Sequence, residues 1–512
     1  MIRRMLLAAS LALAAAAPAL AQATLPQAPA PTGTLRIALK DDPDIMDPTL
    51  ARTYTGRIVF AALCDKLFDI DEKLEIVPQL ATSYKWETPT SLLITLRDGV
   101  TFHDGEKFDA AAVVYSLNRH MTMQGSFRRG EISDMDTAVV VDPLTVRITL
   151  KTPSAAFLSQ LTDRAGMIVS PKAAEAAGRD FGLHPVCTGP FSFVERVAQD
   201  RIVLQRYPGY WDAGRIHFAR VIYRPIPDNN ARLANVQTGT VEFAERMEPD
   251  DVTTARANPR LAVAQVPQLG YQNITINITN GPRANTPMGR DARVRHAFEL
   301  ALDRATINQV VYQGAYTPTA QAVPPANPYH VASLVPEARN VERARALLRE
   351  AGVTTPLAVD MIVPNNPDLR QVAEVIQSMV AEAGFNLKLS TMEFASSLQV
   401  TTRGEFETYL AGWSGRTDPD GNIWSFLHSR GPQNDGRYNN PEVDRLADAA
   451  RAETDHDKRL ALYTQLWQIA VVQDRARIYL WHATNIVIYS ARLAGYRPIS
   501  DGMIRVQDLR LQ

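Results

Sequence analysis

Apolar and polar positions change period many times along the chain, and those changes outline its elements. "TLRIALK" from Thr34 alternates and predicts a first strand. "GRIVFAALCDKLFDID" carries apolar residues at helical spacing. "SLLITLRDGVTFHDG" and "LTVRITLKTP" are strand-like runs broken by Asp-Gly turns. Between them "FDAAAVVYSLNRHM" predicts a helix with Asp109 as its N-cap. "FSFVERVAQDRIVLQRY" predicts a hairpin, its two alternating runs separated by Gln199-Asp200.

The second half leans to helix. "DARVRHAFELALDRATINQVVYQ" is one long amphipathic stretch, and "NVERARALLREAG" ends on Gly352, a residue suited to terminate a helix. Strand "LAVDMIVP", helix "DLRQVAEVIQSMVAEAG" and strand "NLKLSTMEF" form a unit that implies parallel pairing with a right-handed crossover. Two helices are expected in "PEVDRLADAARAETDHDKRLALYTQLWQIAVVQD", and a closing strand region in "ARIYLWHATNIVIYS". Strands and helices recur without a fixed repeat, which predicts an α/β protein with mixed sheets in several lobes.

The 512 residues are 46% hydrophobic and 21% charged, enough for two or three domains with ordinary cores. A formal net charge of -1 leaves no electrostatic footprint for nucleic acid. At the N-terminus, Arg3 and Arg4 precede the apolar "MLLAASLALAAAA", and Ala19-Leu20-Ala21 fits the small-x-small cleavage rule. This predicts a signal peptide over 1–21, a Pro-rich linker over 22–33 and an exported chain. The alternative, a membrane anchor, is disfavoured by the short apolar run, and neither cysteine is placed to carry a lipid. The two cysteines, Cys64 and Cys187, pair in an oxidising compartment or stay buried as free thiols.

Motifs for catalysis are missing. "GWSGR" has a serine beside a glycine but not the register of a nucleophile elbow, and the nine histidines include no H-x-x-x-H pair. "FHDGEKFD" gathers His103, Asp104, Glu106 and Asp109, yet a tight turn followed by a capped helix accounts for each. Asp41-Asp42 and Asp250-Asp251 read as solvated turns. Neither an enzyme, a cofactor nor a metal is expected.

Five blocks, in order over nearly the whole chain after the signal peptide, resemble the family 5 extracellular solute-binding proteins. They are "LRDGVTFHDGEKFDAAAVVYSLNR", "CTGPFSFVERVAQDRIVLQRYPGYW", "RVRHAFELALDRATINQVVYQGAYTP", "ERARALLREAG" and "YNNPEVDRLADAA". The resemblance implies a bilobed periplasmic-binding-protein fold with a discontinuous lobe I (34–77, 186–280 and 481–512), an inserted subdomain (78–185) and lobe II (281–480). It implies a periplasmic monomer that holds a small-molecule or peptide ligand between its lobes and delivers it to an ABC permease in the inner membrane.

The same resemblance assigns a ligand grip to "LAGWSGRTDPDGN", Leu410 to Asn422. In peptide-binding members a W-x-x-D segment lines the cleft and its aspartate pairs with the peptide ammonium. Trp413 matches that tryptophan, with a core role as the alternative, but Arg416 stands at the aspartate position. An inward guanidinium would favour a carboxylate and disfavour a cation, shifting the ligand toward an acidic, blocked or non-peptide solute. Otherwise Arg416 points to solvent or pairs with Asp418, which could itself rotate into the amine-binding role. Asp420-Gly421 is expected to turn and cap the next helix. Further wall candidates are Arg52, Thr53, Tyr54 and Arg57 in "ARTYTGRIV", and Tyr271 and Asn273 in "QLGYQNITIN". Rival readings are a secreted hydrolase and a periplasmic chaperone.

Overall fold

The computed structural model describes residues 32–512. The signal peptide expected over 1–21, and all but the end of the linker over 22–33, lie outside the described residues. Two large sheets organise the molecule. The first has seven strands in the order Leu261–Pro267, Thr484–Ser490, Phe243–Ala244, Thr34–Leu39, Arg220–Pro225, Arg201–Arg206 and Phe191–Val197. Its central strand Thr34–Leu39 is buried because parallel partners flank it on both sides. The second has six strands, in the order Thr317–Pro318, Arg477–His482, Tyr271–Ile276, Thr408–Trp413, Leu357–Pro364 and Phe385–Met392. The expected parallel unit is there: Leu357–Pro364 pairs in parallel with Phe385–Met392 across the helix Pro367–Ala383.

A four-stranded antiparallel sheet, Ala81–Thr88, Ser91–Leu96, Thr145–Leu150 and Met135–Asp142, packs on the helix Ala110–Thr122 and has its own apolar core. Asp109 caps that helix, its carboxylate accepting from Ala112 N at 3.0 Å. Cys64 and Cys187 are joined by a disulfide that ties the end of the helix Tyr54–Leu63 to the segment leading into the hairpin.

Three sequence expectations change. Tyr271–Ile276, expected in lobe I, pairs with Thr408–Trp413 and Arg477–His482 and so belongs to the second sheet. The chain thus passes from the first sheet to the second between Pro267 and Tyr271. The closing strand region splits likewise, Arg477–His482 into the second sheet and Thr484–Ser490 into the first. Its apolar pattern is continuous because both sheets bury it. Finally, the long amphipathic stretch is two helices, Ala292–Leu300 and Arg304–Tyr312, because Asp303 caps the second by accepting from Thr306 N. The two crossings lie side by side, Gln268 N donating to Ala483 O at 2.9 Å. This is the geometry of a hinge.

Candidate functional site

Beside that hinge a cavity of about 170 Å³ lies between the lobes. The first lobe contributes Lys40 and Asp41 from the end of its central strand, Arg52 and Tyr54 from the start of the helix Tyr54–Leu63, and Arg246 and Glu248. The second contributes the aromatic side chains of Tyr271, Tyr312, Trp413 and Trp481, with Gln272 and Asp368. Charged residues of both signs and seven aromatic rings, with Tyr54, Tyr316 and Phe394 among them, therefore meet in one space.

Ion pairs hold the lobes together around it. Lys40 Nζ lies 2.8 Å from Asp368 Oδ2 across the cleft and 3.1 Å from Glu248 Oε1 on its own side. Burial pushes the Glu248 carboxyl up, with Asp368 adding to the rise and Lys40 opposing it, while Lys40 holds Asp368 down against its own burial. Asp41 and Glu245 share Arg246. Arg52 reaches across to Asp435 at 2.9 Å and to Thr402 Oγ1 at 2.7 Å.

The expected wall residues divide into two groups. Arg52, Tyr54, Tyr271 and Trp413 line the cavity. Tyr54 donates to Gly502 O at 3.0 Å and lies under the Arg246 guanidinium. The Trp413 indole donates to Asn422 Oδ1 at 2.9 Å and packs edge-on against Phe426. Thr53, Asn273 and Asp418 have other duties. Thr53 caps its helix, accepting from Gly56 N at 3.2 Å. Asn273 locks strands together by donating to Ala411 O and accepting from Arg477. Asp418 is held by both arms of Arg459 at 2.7 and 2.8 Å, so it does not rotate into an amine-binding role.

Arg416 takes neither orientation expected of it. Gly415, at φ +83°, reverses the chain directly after Trp413, and a Cβ there would sit 2.2 Å from the Leu269 carbonyl carbon. The turn carries the Arg416 side chain behind the indole, 4.4 Å from its ring, so that it neither walls the cavity nor reaches solvent. It faces Asp163 Oδ1 at 3.5 Å and Glu131 Oε1 at 3.8 Å, both from the inserted subdomain. Nor does Asp420 cap the next helix by its side chain. Pro419 is the N-cap, and Asp420 is buried against Arg451 at 2.7 Å.

Sequence reading missed Lys40, Arg246, Glu248 and Asp368, and took Asp41 for a solvated turn. The signal that was available is the run of charges immediately after two apolar strands, since the ends of central strands open onto ligand crevices in layered α/β folds. Asp251, also read as solvated, closes a capping box with Glu248.

Among the described residues no group of three or more His, Cys, Asp or Glu side chains is arranged to hold a metal ion. Two lobes joined by paired crossings, with a cavity between them lined from both sides, define a solute-binding receptor. Residues 75–434 match the family described as bacterial extracellular solute-binding proteins, family 5 Middle, and the chain belongs to that family. Its function is that of the substrate-binding receptor of an ABC importer; it binds its solute without chemistry. The glutathione-binding protein GsiB of Pectobacterium atrosepticum is 29% identical over 479 residues, 91% of this chain and 92% of that one. In fold the chain is similar to the murein tripeptide binding protein MppA of Escherichia coli (TM-score 0.87, 23% identity, covering 93% of this chain and 98% of that one). It is likewise similar to the periplasmic binding protein AgaA of A. tumefaciens R10 in complex with agropinic acid (TM-score 0.86, 23% identity, 94% and 99%).

Proposed function

We propose that the receptor captures a small peptide-like solute bearing both an ammonium and a carboxylate group, and hands it to an inner-membrane ABC permease. The observation that carries this reading is the interlobe cavity walled by Tyr271, Trp413 and Trp481 together with Lys40, Glu248 and Asp368. Aromatic faces bury the backbone and apolar side chains of a short peptide. Glu248 and Asp368 share the single ammonium of Lys40, and Glu248 Oε2 is buried without a hydrogen-bond partner. A ligand ammonium here completes the pairing, doing what the family's aspartate does elsewhere. Arg52, Tyr54, Tyr271 and Trp413 contact the solute in this reading, while Thr53, Asn273 and Asp418 position the wall. The GsiB relative, a glutathione-binding protein, supports a ligand of this size and polarity.

The receptor works as a monomer exported to the periplasm by residues 1–21. Its lobes divide at the hinge, lobe I holding 34–77, 186–268 and 484–512, and lobe II 270–482, with 78–185 inserted. No helix among the described residues is long and apolar enough to cross a membrane.

A thermal-shift panel of free di- and tripeptides, glutathione, N-acetylated peptides and oligosaccharides tests the ligand class. Binding to the folded state alone stabilises it by about 2.7 kcal/mol at a hundredfold excess over Kd. Free peptides or glutathione are expected to raise the melting temperature and N-acetylated ones to fail. A shift with oligosaccharides alone overturns the peptide-like reading.

A further inference from the structure

Behind Trp413 lies a charge cluster that neither the fold nor the cavity wall explains. Arg57, Arg128, Arg164 and Arg416 are all buried there, and they face two carboxylates, Asp163 and Glu131. Arg57 pairs with Asp163 at 2.5 Å, Arg128 pairs with Glu131, and Arg164 donates its backbone N–H to Asp163 at 2.6 Å. The nearby Asp501 is committed to Arg505 at 2.9 Å, and Asp420 to Arg451 at 2.7 Å. Four buried guanidinium groups thus face two carboxylates directly, with Asp501 acting on Arg57 from farther off.

The hydrogen bonding is also incomplete. Nε and Nη2 of both Arg164 and Arg416 have no hydrogen-bond partner, nor do Nε of Arg57 and of Arg128 or Oε2 of Glu131, although Arg164 Nε and Arg416 Nη2 lie 3.4 and 3.5 Å from Asp163 Oδ1. An isolated buried guanidinium is costly, and interiors tolerate one only when an anion completes it. Burial, reinforced by neighbouring arginines, pushes Arg164 down to about 9 and Arg416 to about 10, and lowers Arg128. Asp163 is held well below the usual carboxylate range by Arg416, Arg57 and Arg164 despite its burial, so it cannot be the missing neutral partner.

The cluster meets the cavity wall at Trp413, behind which Arg416 packs, and at Ser414. Ser414, on the cavity wall, accepts from Arg57 Nη1 at 3.0 Å. We infer that Arg57, Arg128, Arg164 and Arg416 form a carboxylate-binding subsite beside the cavity, behind Ser414 and Trp413, which receives an anionic group of the transported solute. The inference rests on the peptide-like reading above and names the end of the solute that this pocket takes. Planar guanidinium donors suit a carboxylate in bidentate geometry. Arg416 comes from the second lobe and the other three from the first half of the chain, so a bound carboxylate also draws the lobes together. Arg416 thereby accounts for the family aspartate it replaces, because the polarity of this end of the site is reversed.

Matched pairs test it: free-acid peptides and glutathione against the same compounds with every carboxylate converted to carboxamide, titrated calorimetrically into wild type, Arg416→Gln and Arg164→Gln. The free acids are expected to bind wild type at least 100-fold more tightly than the amides. Each variant should lose that preference, its affinity for the acids falling at least tenfold more than its affinity for the amides. Equal binding of acids and amides to wild type overturns the subsite but leaves the peptide-like reading intact. If no peptide binds, that reading fails and succinate and acetate decide the subsite separately. Binding that weakens at least tenfold in both variants supports it, and no binding overturns it. Chloride that stabilises the unliganded protein and persists in the liganded complex marks a structural ion in place of the solute and also overturns it. Should a Gln variant fail to fold, Arg416→Lys, which keeps the charge and loses the planar fork, is expected to retain the acid preference at a reduced ratio; an undiminished ratio contradicts bidentate recognition.

Discussion

Lys40 in the first lobe and Asp368 in the second meet at 2.8 Å across the ligand cavity, and Glu248 lies 3.1 Å from the same ammonium. One cation is thus shared by a carboxylate from each lobe. Lys40→Met leaves Glu248 and Asp368 facing each other across the cleft, and like charges disfavour closure. The variant is expected to show a larger radius of gyration by small-angle scattering. Loss of one partner of a buried pair further lowers stability by about 3 kcal/mol in urea unfolding.

Trp413 does two things at once: its face walls the cavity and its indole N–H anchors Asn422. Trp413→Phe keeps most of the aromatic face and loses the hydrogen bond. It is expected to fold with a stability loss of about 1–2 kcal/mol and to weaken ligand binding measurably. Trp413→Ala should cost about 3–5 kcal/mol, through the cavity it leaves. Equal ligand affinity in Trp413→Phe, Trp413→Ala and wild type would show that the ring only packs.

Asp420 and Arg451 form a buried bidentate pair at 2.7 and 2.9 Å, and Arg451 also donates to Ser133 Oγ of the inserted subdomain at 2.8 Å. Removing the carboxylate strands a buried guanidinium. Asp420→Ala is expected to destabilise by about 3–5 kcal/mol, while the double change Asp420→Leu with Arg451→Met recovers much of that loss. Chemical denaturation of the three proteins measures the difference.

Burial pushes three histidines down: His103 and His482 to about 4, and His120 to about 3. Free histidine side chains in the unfolded chain take up protons below about pH 6.5, whereas these do not. The contribution of these histidines is therefore full above pH 6.5 and is lost as pH falls toward 4, on the order of 2 kcal/mol each by pH 5. The buried carboxyls of Asp65 and Glu248, pushed up to about 7, act in the opposite sense over the same range. The test is therefore the difference between wild type and His482→Gln in urea unfolding at pH 7.5 and pH 5: the variant should lose less stability on acidification, and an equal change in both proteins would contradict neutral burial of His482.

The Cys64–Cys187 disulfide closes a loop with a sequence separation of 123. A loop of that length restrains the unfolded chain by about 4–5 kcal/mol in the chain-entropy account. Cys64→Ala with Cys187→Ala is expected to lower stability by up to that amount, with the ligand affinity unchanged because neither sulfur touches the cavity.

Local periodicity and capping determined most of this protein before any contact was known. The hairpin around Gln199-Asp200, the parallel unit from Leu357 to Met392 and the helix capped by Asp109 are all legible because each depends on neighbours within a few dozen residues. The ordered blocks likewise identified the receptor family, since their turn and packing residues are local in sequence. Tertiary structure alone decided which sheet each strand joins and where each charge points. Tyr271–Ile276 reads as an ordinary buried strand in either lobe, and only its pairing with Thr408–Trp413 assigns it to the second. Arg416 depends on the left-handed turn at Gly415 and on Asp163, more than 250 positions earlier, to draw it behind Trp413. A side chain's direction is set by partners that meet in space, and these partners are far apart along the chain.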